Sequence, residues 1–88
     1  MTLLETSTQL TSEEALVLQQ VYEDIETDVT MLSRQLGMRR GMVMSILNEL
    51  RQKHLVSLKK EYAELLVNVS ARGRQLIRYI WPEQSFVL

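Results

Sequence analysis

The segment from Leu36 to Leu55 constrains the fold more than any other part of the sequence. Leu36-Gly37 reads as a helix stop, because glycine takes the left-handed conformation just past a helix end without steric cost. Beyond it, Val43, Ile46, Leu47 and Leu50 recur at spacings of three and four, which places them in one stripe of a helix running from Arg39 to His54. Gly41, Ser45, Asn48 and Gln52 fall on the opposite side, so the helix is amphipathic with a polar outer face.

The flanking segments supply the rest of one domain. Thr11-Ser12-Glu13-Glu14 has the form of a capping box. It opens a helix over 12–24 with Ala15, Leu18, Val21, Tyr22 and Ile25 as the expected buried face. Glu26-Thr27-Asp28 breaks that pattern, Val29 is a candidate for a very short strand, and a second helix over 30–36 is capped by Asp28 or Thr30. Its expected inward residues are Met31, Leu32 and Leu36. After His54 the period drops to two over Leu55–Leu58 and Leu65–Val69, the signature of two strands. The segment Lys59–Glu64 between them lacks Gly, Asn and Asp, which predicts a loose tip of four to six residues. Ser70 caps a last helix over Ala71–Trp81 with Leu76, Ile77 and Ile80 inward, and Pro82 stops it. The expected organisation is a lead at 1–10, one domain at 11–81 and a tail at 82–88.

Bulk properties narrow the function classes. The chain has 88 residues, enough for a single domain, and 45% are apolar, which is ordinary for a globular protein. It has no cysteine, which excludes disulfides and thiolate metal sites. No apolar run approaches the roughly 18 residues of a membrane span, and the start lacks the basic, apolar pattern of a signal peptide. The expectation is a soluble cytoplasmic protein. Catalysis has little support: there is one His and no phosphate-cradling glycine loop, and no second metal ligand stands near His54 at a standard spacing. No cofactor or metal is expected.

Net charge is −1, but it is unevenly spread. Residues 1–30 hold seven acids and no Lys or Arg, whereas residues 31–88 hold ten bases against four acids. The basic part either faces phosphate or neutralises the acidic part.

The order helix, helix, turn, helix, hairpin, helix is the layout of an α+β, mostly α, winged helix-turn-helix: three helices, a short two-stranded wing and a C-terminal helix. The stretch Leu32-Ser-Arg-Gln-Leu-Gly-Met-Arg-Arg-Gly-Met-Val-Met-Ser-Ile-Leu-Asn-Glu-Leu-Arg-Gln-Lys-His-Leu-Val56 resembles the MarR-type winged-helix regulators. They share its Leu-Gly turn, the Val and Leu core positions (Val43 and Leu50) and the Leu-Val entry to the wing. Ser70-Ala-Arg-Gly73 resembles that family's Ser/Thr-x-x-Gly entry into the helix after the wing. Where the family usually has glycine before Leu-Val, this chain has His54, a residue that can take the left-handed conformation more readily than most non-glycine residues, at some cost.

The resemblance implies a homodimer on double-stranded DNA, read in the major groove by the helix at 39–54 and flanked by the wing. Arg39 and Arg40 open that helix and either contact guanine or phosphate or are simply solvated. Ser45, Asn48 and Arg51 lie on its outer side, within reach of bases or phosphates or as ordinary surface residues. Gly41 costs about 1 kcal/mol in a helix interior, which suggests a close backbone approach. Met44 and Met42 flank the core stripe and suit thymine methyls, an adaptable protein surface or core gap-filling. Lys59 and Lys60 at the wing tip either hold phosphate or protect the edge from pairing. The last helix and Pro82–Leu88, aided by 1–10, form the expected dimer surface. The alternative function is a winged-helix module that binds a protein partner.

Overall fold

The computed structural model describes residues 9–82. The expectations for residues 1–8 and 83–88 therefore lie outside the described residues. In chain order the elements are α1 (Ser12–Asp24), β1 (Thr27–Asp28), α2 (Val29–Leu36), α3 (Arg40–Gln52), β2 (Val56–Glu61), β3 (Glu64–Val69) and α4 (Ala71–Ile80). This is a winged helix-turn-helix: α2 and α3 are joined by the turn at Gly37, and the β2–β3 hairpin is the wing.

The helix boundaries follow from local chemistry. Thr11 Oγ1 accepts from the Glu14 backbone N–H at 3.0 Å, and Glu14 Oε1 accepts from the Thr11 N–H at 2.9 Å, so the capping box is complete. Asp28 caps α2 by accepting from the Met31 N–H. Gly37 ends α2 with φ +63° and donates its N–H to Ser33 O. Ser70 caps α4 through the Gly73 N–H.

The core is one cluster drawn from every layer. Val17, Leu18 and Val21 of α1 meet Val29 and Leu32 of α2, the full stripe Val43, Ile46, Leu47 and Leu50 of α3, and Leu76 and Ile77 of α4. Leu55, Val56, Val67 and Val69 close it from the sheet side. Ile80 and Trp81 pack at its edge.

Several expectations are corrected. In α1 the buried stripe is Glu14, Val17, Leu18 and Val21, so Val17 takes the place assigned to Ala15. Ile25 lies outside the helix, at φ +66° and 81% exposed, because the chain turns away at Asp24. Met31 is exposed, and the buried residues of α2 are Val29 and Leu32. Val29 begins α2, and the short strand is Thr27–Asp28. That strand pairs antiparallel with β3, Thr27 opposite Val67, so the wing belongs to a three-stranded sheet of order β1-β3-β2. The third helix spans Arg40–Gln52, with Arg39 as its N-cap, and the first wing strand begins at Val56.

The wing tip is also tighter than expected. Pairing continues to Glu61 opposite Glu64, which leaves Tyr62 and Ala63 as a two-residue loop. Tyr62 supplies the positive φ (+57°) that glycine ordinarily provides at the first position of such a turn. Tyr62 is 95% exposed, so no buried contact of its ring dictates this conformation. Lys59 and Lys60 consequently lie within β2 rather than at the tip.

His54 does adopt the left-handed conformation, at φ +62°. It sits at a corner where Ser70 Oγ donates to His54 O at 2.6 Å and Ser70 N–H donates to Leu55 O at 3.0 Å. Because the His54 side chain is exposed, His54→Gly removes strain without removing buried surface. The greater freedom of glycine in the unfolded chain offsets part of the gain, so the variant is expected to be about 0.5–1 kcal/mol more stable. Thermal unfolding checks this as a rise of a few degrees in Tm.

Candidate nucleic-acid interface

The α3 helix presents its outer face to solvent with Gly41, Ser45, Asn48, Arg51 and Gln52 all exposed. This face is exposed because the opposite stripe is held in the core. The turn residues Gly37 and Met38 set its start: Met38 N–H donates to Ser33 O at 3.1 Å, and Met38 O accepts from the Ser33 hydroxyl.

The first turn of α3 is electrostatically unusual. Arg39 is extended (φ −64°, ψ 144°) and makes no side-chain cap. No acid stands in the first turn, while Arg39 and Arg40 are both exposed. A helix N-terminus carries partial positive charge and unsatisfied N–H groups, so two cations and no cap are intrinsically unfavourable there. An anion such as phosphate reverses that balance. Among the described residues, Arg39, Arg40 and Arg51 make no ion pair.

Gly41 is the second unusual feature. An added Cβ would meet nothing within 4 Å, so no internal packing requires glycine there. Met44 is partly buried against the core, and only part of its side chain reaches the outer face. Lys59 and Lys60 are exposed on adjacent positions of β2 and therefore point to opposite faces of the hairpin. Lys59 lies 3.8 Å from Glu61, a loose and solvated pair. The structure thus gathers Arg39, Arg40, Gly41, Ser45, Asn48 and Arg51 along one helix and sets the two lysines apart on the wing.

The other edge of α3 faces α1. Met42 is 45% exposed and, with Thr11, Glu14, Ser45, Ile46 and Glu49, lines a groove of about 380 Å³. Glu14 sits at its base with its side chain 7% exposed, and its Oε2 is 2.8 Å from Lys53 Nζ. Lys53 also donates to Gln9 O at 3.3 Å. The acidic and basic parts of the sequence meet in this pair. Burial pushes the Glu14 carboxyl up, but hydrogen bonds from Lys53 and Thr11 and the charge of Lys53 outweigh it, and the carboxyl is held below its ordinary value. A depressed carboxylate stabilises the fold above its unfolded value, and that stability is lost as pH falls through the folded one. Wild type is therefore expected to melt above Glu14→Gln at neutral pH, and the difference is expected to close as pH falls through the depressed carboxyl's titration. Circular dichroism melts across that range check it.

Sequence reasoning missed Thr30 and Glu64. Arg40 Nη1 donates to the Thr30 hydroxyl, which lies 3.4 Å from both carboxylate oxygens of Glu64. No sequence signal joins positions this far apart; the pairing of β3 with β1 and the packing of α2 on α3 bring them together. Among the described residues, no group of three or more His, Cys, Asp or Glu could hold a metal ion. No described helix is long and apolar enough to cross a membrane.

With this geometry in hand, comparisons with solved structures define the class: the chain is a winged helix-turn-helix. More narrowly, it has the MarR-like form of that fold. RV1404 from Mycobacterium tuberculosis matches with a TM-score of 0.82 at 16% identity, over 94% of this chain and 58% of that one. The oxidized form of MarR from E. coli matches at 0.76 and 18% identity, over 84% of this chain and 54% of that one. A mutant of S. aureus MepR bound to an oligodeoxyribonucleotide matches at 0.78 and 16% identity, over 91% of this chain and 64% of that one. The chain thus spans a little over half the length of these structures. No protein-family model matches the sequence, and no curated protein matches it.

Proposed function

We propose that this domain is a DNA-binding transcriptional regulator that lays α3 in the major groove, with the wing against the flanking backbone. The observation that carries the proposal is the uncapped, doubly cationic first turn of α3, set on a fully exposed outer face. Arg39 and Arg40 contact phosphate or a guanine edge, Ser45 and Asn48 face the bases, and Arg51 and the two wing lysines contact backbone phosphate. One such module makes few phosphate contacts, so two copies on adjacent half-sites are expected to bind together. The match to a structure holding an oligodeoxyribonucleotide supports this reading. Size-exclusion mass measurement with and without random duplex DNA tests it. A protein–DNA complex is expected, and an unchanged protein mass at low salt sinks the proposal.

Gly41→Ala gives an independent check with opposite signs. Alanine favours the helix by about 1 kcal/mol, and nothing obstructs its Cβ, so Tm is expected to rise. If the helix backbone approaches DNA closely at this point, the same methyl weakens duplex binding. A variant that is both more stable and equally tight on DNA removes Gly41 from the interface.

A second reading has one observation behind it. The groove between α1 and α3, with Met42 half exposed and Glu49 at its rim, suits a protein partner better than a nucleic acid. A pull-down partner that is lost on Met42→Asp, in a protein that binds no duplex, favours this module role.

A further inference from the structure

Arg40 does not project freely from α3. Its Nη1 donates to Thr30 Oγ1, and Thr30 Oγ1 lies 3.4 Å from Glu64 Oε1 and Oε2. A guanidinium only donates and a carboxylate only accepts, while a hydroxyl has a single proton. The direction of the chain is therefore fixed: the Thr30 hydroxyl accepts from Arg40 and donates its hydrogen bond to Glu64. The relay joins the first residue of α3, the second of α2 and the first of β3. Glu64 closes the wing opposite Glu61, so the relay ties the start of the helix to the end of the hairpin. Arg40 uses one N–H group on Thr30, which leaves the rest of its fork to meet an anion.

We infer that Thr30 and Glu64 are positioning residues that set the Arg40 side chain, and its register with the wing, before DNA arrives. The functional consequence rests on the DNA-binding reading above; the ordering of Arg40 rests on the geometry alone. An arginine already held pays less ordering entropy on binding than a free one. Glu64 has a second effect, because its negative charge near a duplex opposes binding of any sequence. Thr30 is therefore the cleaner residue to change.

The test uses the full chain as wild type, Thr30→Val, Thr30→Ser, Arg40→Ala and the Thr30→Val/Arg40→Ala double variant. Valine matches threonine in shape, and thermal unfolding confirms that each variant is folded. Nitrogen-15 relaxation of the Arg40 side-chain N–H groups reads their order in the free protein, and fluorescence anisotropy reads binding to a duplex. Thr30→Val is expected to loosen Arg40 and to weaken duplex binding about threefold to tenfold. Thr30→Ser is expected to restore both, and Thr30→Val is expected to add nothing in the Arg40→Ala background. Equal Arg40 order in wild type and Thr30→Val overturns the relay. So does a Thr30→Val loss that persists undiminished without Arg40. Duplex binding by wild type with no change in Thr30→Val overturns the positioning role and leaves the DNA reading standing. A wild type that binds no duplex, with Arg40 order still dependent on Thr30, overturns the DNA reading and leaves the geometry standing.

Discussion

Gly73→Ala is expected to destabilise the domain by about 3 kcal/mol or more, at or beyond the upper end of the usual range for overpacking. A Cβ at Gly73 would lie 2.2 Å from Leu55 O and 2.7 Å from Val69 Cγ1. The first contact is with backbone and cannot be relieved by a rotamer change. The same carbonyl accepts the Ser70 N–H at 3.0 Å, and Ser70 is the cap that starts α4. Moving Leu55 away from an alanine therefore also strains the cap and the His54 corner beneath it. Domains of this size have total stabilities of about 5–15 kcal/mol, so a loss of this size is a large fraction of the margin. Urea unfolding of Gly73→Ala against wild type measures it; a midpoint within experimental error of wild type contradicts the packing described here.

The second large effect concerns function. Replacing Arg39 and Arg40 together by alanine is expected to reduce duplex affinity by about a hundredfold at low salt. This figure takes about tenfold per arginine, near the low end of the roughly 1–3 kcal/mol for a good bidentate contact. Adjacent residues do not add strictly, so the pair is the safer measurement. If both contact phosphate, the slope of log affinity against log salt also falls by about two. If one reads guanine instead, the slope falls less and discrimination between sequences weakens. Removing both positive charges relieves their opposition to the helix dipole but also breaks the exposed Arg40–Thr30 hydrogen bond, so Tm is expected to change little. Loss of binding with an unchanged Tm separates an interface role from a structural one.

The elements with strong apolar periodicity were legible in the sequence, because the stripe that defines a helix is the stripe that enters the core. The α3 residues Val43, Ile46, Leu47 and Leu50 are all buried. Caps at Thr11, Asp28, Gly37 and Ser70 were legible for the same local reason: each is a contact within three or four residues. The end of α1 was not, because Ile25 continues the spacing of a buried face while the backbone has already turned at Asp24. The wing tip was not, because Tyr62 accepts a positive φ that its residue type does not advertise. At the candidate interface, the outward positions of α3 followed from the wheel. The surroundings of Arg40 did not, since they depend on Thr30 and Glu64 being brought together by the sheet. Gly73 lies between these cases: the Ser-x-x-Gly pattern was visible, but the carbonyl that excludes a side chain there belongs to Leu55.

The most direct test of the DNA-binding assignment is fluorescence anisotropy of the wild-type chain on labelled duplex DNA across a salt series. Binding at low salt is expected, with log affinity falling linearly against log salt at a slope that reports several phosphate contacts. Absence of duplex binding at low salt, or binding that does not change with salt, would contradict it.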